Sequence, residues 1–464
     1  MFRSLLAIFV FCSVVAAPVR AQDGMLDPNF VPGYGYRLIS YSGLASEDDS
    51  ASTLLVQPDG RIVFAVAYHA STNDHGIIEM TRTSFDGGVD PSFLATPVQG
   101  PLIPSGPASM AMQSTGKFLV LGQYFNNNPN EFVVFRYDSG GSADGSWGNG
   151  GRLDVSFTAL SNISITAGDV VVQSDDKVIL TGTAGGTGGS AFVAVRLNAN
   201  GSIDSSYGSG GQVVVTRFSQ LENGPPQEVL RHARLTSKGN LILGGLTEPV
   251  YVGVPFPQLT SASVALAKLT TTGALVTTFG DGGVVIYGVP NTIGATDVAV
   301  TRNEGVYALL GGAPSVLRFL KNGSPDFNYG SFGLAGFTPI DPISLIQAIT
   351  LTRSLTLQQD GKVVVAGEAD VIGGQHEAMA ARLLINGDPD PTFGTPNCGV
   401  GVFLQSSALA SPAWEEADSI TVQSGRVLLG GRVLHDASVG LNYIPIIYRL
   451  TGDRIFTDGL ELLP

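Results

Sequence analysis

Gln359-Asp360-Gly361-Lys362-Val363-Val364-Val365-Ala366-Gly367 is a tight turn followed by an unbroken β-rich run, and the chain repeats it. Earlier versions read Gln57-Pro58-Asp59-Gly60-Arg61-Ile62-Val63, Gln113-Ser114-Thr115-Gly116-Lys117-Phe118-Leu119, Gln173-Ser174-Asp175-Asp176-Lys177-Val178-Ile179 and Thr236-Ser237-Lys238-Gly239-Asn240-Leu241-Ile242. Thr301-Arg302-Asn303-Glu304-Gly305-Val306-Tyr307 is a ragged fifth copy, and Gln423-Ser424-Gly425-Arg426-Val427-Leu428 is the last. Anchoring the copies on positions 60, 116, 176, 239, 305, 361 and 425 gives a period of roughly sixty residues, the range of stacked repeat architectures. Glycine suits the turn because a tight hairpin needs positive φ there.

Each copy has the same internal grammar. An apolar strand such as Thr53-Leu54-Leu55-Val56 leads into the turn, and a β-rich strand leaves it. A variable loop follows, then a third strand ending in a basic–apolar pair: Arg136-Tyr137, Arg196-Leu197, Lys268-Leu269, Arg318-Phe319, Arg382-Leu383 or Arg449-Leu450. A Gly-rich connection with a recurring Asp and aromatic comes next, as in Gly387-Asp388-Pro389-Asp390-Pro391-Thr392-Phe393-Gly394, before a fourth strand such as Gln212-Val213-Val214-Val215. Four short strands per copy, none able to bury a face alone, predict an all-β fold: a seven-bladed β-propeller of four-stranded antiparallel blades. The last copy stops after its third strand near Leu450, while Tyr36-Arg37-Leu38-Ile39-Ser40-Tyr41 stands alone near the start. The N-terminal strand is therefore expected to complete the last blade and close the ring.

This grammar resembles the bacterial delta-60 repeat family, most cleanly at Gln359–Gly367, Ala380–Leu383 and Gly387–Gly394. The resemblance spans roughly residues 24–452 and implies a propeller-type exported protein without an assigned chemistry. Asp453-Arg454-Ile455-Phe456-Thr457-Asp458-Gly459-Leu460-Glu461 is similar to a short acidic-aromatic tail on exported gammaproteobacterial proteins.

The N-terminus gives the same address. Arg3, the short apolar run Leu5–Ala17 and Val19-Arg20-Ala21 form a signal peptide, residues 1–21, with cleavage expected after Ala21. Residues 22–452 then make one propeller domain and 453–464 a tail, in a protein that is secreted, periplasmic or held at the cell surface. Cleavage removes two basic residues and no acid, so the mature chain is more acidic than the −14 of the whole. Such a surface repels phosphate backbones, which excludes nucleic acid as a partner. Cys398 would be the one cysteine left, so no intramolecular disulfide forms. No later apolar stretch is long enough to span a bilayer.

Residues repeated in every copy read as scaffold. Asp27, Asp90, Asp144, Asp204, Asp326 and Asp390 suit turn fixing, and the basic residues ending each third strand suit pairing with them or covering apolar surface. Phe30, Phe93, Trp147, Tyr207 and Phe393 suit plugs between blades. Positions where the copies disagree carry more information. Seven residues before the anchors stand Thr53, Ser109, Asp169, His232, Ser354 and Asp418, with Asp297 eight before Gly305. With the first strand innermost, these would ring one mouth of a central channel. His232 as base, with Asp169 and Asp297 as orienting carboxylates and Asp418 nearby, is the candidate catalytic set.

No cofactor is expected. Calcium is the one ion weighed, at Asp86–Asp90 and Asp138–Asp144, but neither loop has EF-hand spacing. The favoured function is an exported non-catalytic binding or scaffold protein. It would recognise a peptide, protein or glycan through the channel mouth or through loops bearing Tyr251, Phe256, Leu441 and Tyr443. The alternative is a hydrolase or lyase-like enzyme at the channel mouth, since the fold hosts many chemistries.

Overall fold

A computed structural model describes residues 23–39, 50–69, 76–95, 98–99, 109–122, 130–216, 218, 227–248, 262–289, 292, 294–311, 315–330, 334–336, 346–371, 375–394, 402–405, 415–435 and 442–452. They form seven four-stranded antiparallel sheets, the predicted seven-bladed propeller. In blades 1 to 6 the strands pair in chain order; blade 3, for example, runs Ile163–Val172, Val178–Gly186, Gly189–Leu197 and Gln212–Val215. The first strands, Ser50–Val56, Ser109–Met112, Ile163–Val172, Gln227–Leu235, Ala295–Val300, Ile346–Leu357 and Glu415–Gln423, touch one another in sequence, and the seventh touches the first. They therefore wall the channel.

Blade 7 is shared between the chain ends. Glu415–Gln423, Arg426–His435 and Asn442–Leu450 are joined by Tyr36–Leu38, which pairs antiparallel with Asn442–Leu450 in the register Tyr36↔Tyr448, Arg37↔Ile447 and Leu38↔Ile446. Upstream, Asp27 N–H donates to Arg449 O at 2.8 Å and Thr451 N–H to Met25 O at 2.7 Å. The closing strand is shorter than Tyr36–Tyr41: Ile39 lies outside it, and residues 40 and 41 are not among those described.

The core lies in the seams between blades. Successive residues of a second strand point to opposite faces, and both faces are covered. Phe118 and Val120 of blade 2 pack towards blade 1 with Val63 and Ala65, while Leu119 and Leu121 pack towards blade 3 with Val178 and Leu180. This two-sided burial is why these strands read as continuous apolar runs rather than alternating ones.

Five of the third strands end in an arginine that also clasps a seam. Arg82, Arg136, Arg196, Arg382 and Arg449 direct Nε to Asp90, Asp144, Asp204, Asp390 and Asp27 at 2.7–2.9 Å. The second oxygen of Asp90, Asp144, Asp204 and Asp390 accepts a backbone N–H two residues on, at 2.9–3.1 Å. The guanidinium lies over the blade's own aromatic, with centroid distances from 4.2 Å at Trp147 to 4.7 Å at Phe93 and Phe393. Its far end reaches the next blade: Arg82 donates to Ser139 O and Arg136 to Ala199 O, both at 2.8 Å, and Arg449 donates to Phe85 O of blade 1.

Two blades depart from the repeated motif. In blade 5 the buried aromatic is Tyr329, while Phe327 is largely exposed. In blade 4 Val276 occupies the aspartate position, its N–H bonded to Lys268 O, and among the described residues Lys268 pairs with no carboxylate of its own blade. It crosses the seam instead and pairs at 3.0 Å with Glu304 of blade 5. Glu304 has φ 63 and is the left-handed turn residue, so it, and not Gly305, is the equivalent of Gly60.

Breaking one partner of a buried ion pair strands the other, at a cost of about 3–5 kcal/mol. Arg196→Met is therefore expected to destabilise the fold by about 3 kcal/mol, read as a lowered midpoint in denaturant. Deleting residues 22–41 should lower the melting temperature sharply, because it leaves Asn442–Leu450 an unpaired edge; an unchanged melt would refute closure by this strand.

Candidate functional site

Ladder register identifies which inner-strand residues are equivalent. Three residues before Val56, Met112, Val172, Leu235, Val300, Leu357 and Val422 stand Thr53, Ser109, Asp169, His232, Asp297, Ser354 and Ser419. The ring expected from spacing is thus correct at six blades and shifted at the seventh, where Ser419 replaces Asp418. The cause is the last hairpin: Gln423 pairs with Arg426 across only Ser424-Gly425, so counting back from Gly425 overshoots by one. The same logic removes the odd spacing of Asp297, which is seven residues before Glu304.

Just ahead of these positions the ladder slips in six blades, between Ser50 and Thr53, Ala167 and Val170, Leu230 and His232, Ala295 and Asp297, Thr352 and Ser354, and Ala417 and Ser419. A bulge opposes two residues to one and re-aims side chains. It turns the inner edge from a plain ladder into a row of polar side chains.

His232, Asp169 and Asp297 do come together. His232 Nδ1 lies 3.2 Å from Asp169 Oδ2 and 3.7 Å from Asp297 Oδ1. Arg234, which the spacing argument missed, sits between the same carboxylates, 2.7 Å from Asp169 Oδ2 and 3.0 Å from Asp297 Oδ1. Asp169 Oδ2 also accepts Ala233 N–H at 2.7 Å. Asp297 Oδ1 accepts Val298 N–H at 2.7 Å, and its Oδ2 accepts Ser354 Oγ–H and Leu355 N–H, both at 2.9 Å. The carboxylates lie at the back of the site, with side-chain exposures of 5% and 0%, while His232 and Arg234 keep 27% and 36% of theirs. The signal for Arg234 was present in the sequence: two residues after His232 on a strand is the same face.

The electrostatics follow from that packing. For Asp169, burial favours the neutral acid, but the charges of His232 and Arg234 outweigh it and hold the carboxyl well below the usual range. For His232, burial favours the neutral ring, but Asp297 and Asp169 outweigh it and raise the imidazole above its ordinary value.

Asp418 belongs to a second cluster across the seam of blades 6 and 7. Arg353 Nε is 3.3 Å from Asp418 Oδ1, and its terminal nitrogen is 2.9 Å from Glu416 Oε2, which Arg432 also approaches at 3.1 Å. Burial pushes Asp418 and Glu368 above the usual carboxylate range. Of the scattered histidines, His376 has Nδ1 2.6 Å from Asp370 Oδ1. His75, Tyr251, Phe256 and Leu441 lie outside the described residues, as do the side chains of His69, His435 and Tyr443.

Among the described residues no group of three or more His, Cys, Asp or Glu side chains is placed to hold a metal ion. In the His232 cluster the Arg234 guanidinium occupies the place between the carboxylates that a cation would take. In the loops weighed for calcium, Asp138 Oδ1 accepts Gly140 and Ser142 N–H at 2.8 and 3.0 Å, and Asp90 pairs with Arg82.

The model of a β-propeller domain of unknown function, DUF5122, matches residues 113–146, 173–207 and 358–393. These segments start at the first turn of blades 2, 3 and 6 and end at the late aromatic in blades 3 and 6 and one residue before it in blade 2. No curated protein sequence matches the chain significantly. Among solved structures, an ulvan lyase of a polysaccharide lyase family is similar with TM-score 0.50 and 12% identity, over 90% of this chain and 96% of that one. A Dyadobacter fermentans protein of unknown function gives TM-score 0.42 and 10% identity, over 90% and 100% of the two chains. An α-L-arabinofuranosidase from Fusarium graminearum gives 0.42 and 10%, over 72% and 93%. At these identities the likeness is one of fold.

A raised imidazole pKa stabilises the fold at acidic pH, and the contribution is lost as pH rises through the raised value. Asp169→Asn should therefore bring the His232 titration, followed by its ring C–H resonance, down towards or below about 6.5. The same change should lower stability by about 3 kcal/mol in urea unfolding, because Arg234 loses a buried counter-charge.

Proposed function

We propose that this is an exported, non-catalytic binding propeller that recognises its ligand at the channel wall of blades 3 to 5. The observation that carries this reading is the state of the His232 cluster. A general base needs a neutral imidazole near working pH, whereas His232 is held towards its charged form. Asp169 Oδ2 and both oxygens of Asp297 already accept hydrogen bonds, so their lone pairs are spent on fixing His232, Arg234 and the inner strands. What faces the channel is a pair of positioned donors over a buried acidic floor. Fixed donors on a rigid frame suit recognition. Export is supported by residues 1–21, whose charge and apolar pattern is that of a signal peptide. The ligand classes in view are a glycan, a peptide or a protein surface, met in the periplasm, at the cell surface or in the medium.

The enzymatic reading rests on the direct contact between His232 and Asp169 at 3.2 Å. A hydrolase or lyase-like activity here would use the imidazolium as an acid rather than a base.

The two readings separate when the purified chain is presented to arrays of neutral, uronic and sulfated oligosaccharides and of peptides, with bound compounds followed by calorimetry and products by mass spectrometry. Retention without product supports the binding reading. Product formation that disappears in His232→Gln favours the enzyme, and failure to retain any compound overturns binding at this wall.

A further inference from the structure

The inner strand of blade 4 carries Arg231-His232-Ala233-Arg234, three cationic side chains within four residues of a chain whose net charge is −14. Their surroundings differ. Arg234 is spent on Asp169 and Asp297. Arg231 is the extra residue of the bulge between Leu230 and His232; it is exposed, and among the described residues it makes no hydrogen bond or ion pair. Because this strand wall is the innermost of its blade, its exposed side chains face the channel.

Comparison with the equivalent bulges shows what is unusual. In blade 6 the bulge residue is Arg353, and in blade 7 it is Asp418; the two meet at 3.3 Å across the seam, with Glu416 behind them. Facing bulges can thus neutralise each other. The positions equivalent to Arg231 in the flanking blades are Gly168 and Thr296, which carry no charge; the blade 3 slip also takes in Asp169, which is paired with Arg234. Thr296 Oγ–H is directed to Leu309 O. Arg231 has the bulge position of Arg353 without an acid paired to it among the described residues, and Asp169 and Asp297 in this wall are satisfied by Arg234, His232 and backbone N–H groups.

We propose that this wall is an oxyanion site, taking a carboxylate or sulfate group of a small ligand through Arg231, with His232 beside it. The inference rests on the channel-binding reading and adds the charge of the ligand. A planar guanidinium offers paired N–H donors matched to two oxygens of a carboxylate or sulfate. The buried aspartates supply the second element: they raise the His232 imidazole above its ordinary value and fix its ring, on the residue next to Arg231, which itself makes no ion pair among the described residues.

The test uses the full mature chain with galacturonate, inorganic sulfate and galactose as probes at constant ionic strength, monitored by calorimetry and by the His232 ring resonance. Galacturonate or sulfate should bind and shift that resonance, galactose should not, and Arg231→Gln should weaken anion binding at least tenfold with an unchanged melting temperature. Preference for galacturonate identifies a carboxylate ligand, and preference for sulfate identifies a sulfated or free oxyanion. Equal anion binding by the parent and Arg231→Gln, or no binding of either anion, overturns the site. Neutral oligosaccharide retention that survives Arg231→Gln would overturn the anion site while leaving the channel-binding reading standing; loss of all retention in the parent would overturn both.

Discussion

The buried guanidinium that ends the third strand of five blades does three jobs at once. Arg136 is held by Asp144, lies over Trp147 and donates to Ala199 O of the next blade. Hydrophobic burial alone would let two flat sheets slide across each other, since apolar contact has no preferred direction. A bidentate cation with fixed partners in two blades gives the seam a register. The cost of taking the charge out of water is met by the carboxylate and the carbonyl, and it makes the arrangement intolerant of partial loss. Blade 4 shows that the requirement is electrostatic and not one of residue identity: where the local aspartate is Val276, Lys268 finds Glu304 across the seam.

A second, inner belt of charge has a different logic. Going round the channel from blade 3 to blade 7, acid and base alternate: Asp169, then His232 and Arg234, then Asp297, then Arg353, then Glu416 and Asp418. Its ion pairs cross the seams of blades 3–4, 4–5 and 6–7, and Asp297 reaches blade 6 through Ser354 and Leu355, so this belt also ties blades together. Unlike the outer clasps it is not repeated, and its bulges aim side chains at open space. Structural demand is satisfied by the buried aspartates, which leaves the flanking cations on the channel side available for other work.

Much of the architecture was legible because repetition amplifies weak local signals. One turn such as Gln57–Gly60 proves little, but seven at one spacing fix blade number, and the missing fourth strand of the last copy points to Tyr36–Leu38. The failures came where counting residues stands in for hydrogen-bond register. A turn one residue shorter moved the ring position from Asp418 to Ser419, and a non-glycine residue with positive φ hid Glu304 as the turn residue. Arg234 was legible as the same-face residue two after His232, whereas Arg231 was not, because the bulge that holds it is a property of pairing between strands, which no single strand displays.

The shared seventh blade has a consequence for the order of folding. Six blades are built from strands that follow one another in the chain, so their contacts are local. The closing contacts join Met25 to Thr451, 426 positions apart. Local blades form quickly, while distant pairing bears a larger loop-closure entropy and comes late. Until the final hairpin is in place, a nascent arc exposes the apolar faces of its first and last blades, along with a free strand edge. That interval is when the chain is most open to pairing with another copy of itself. A fold that is rigid once circular is therefore most vulnerable while it is still an arc.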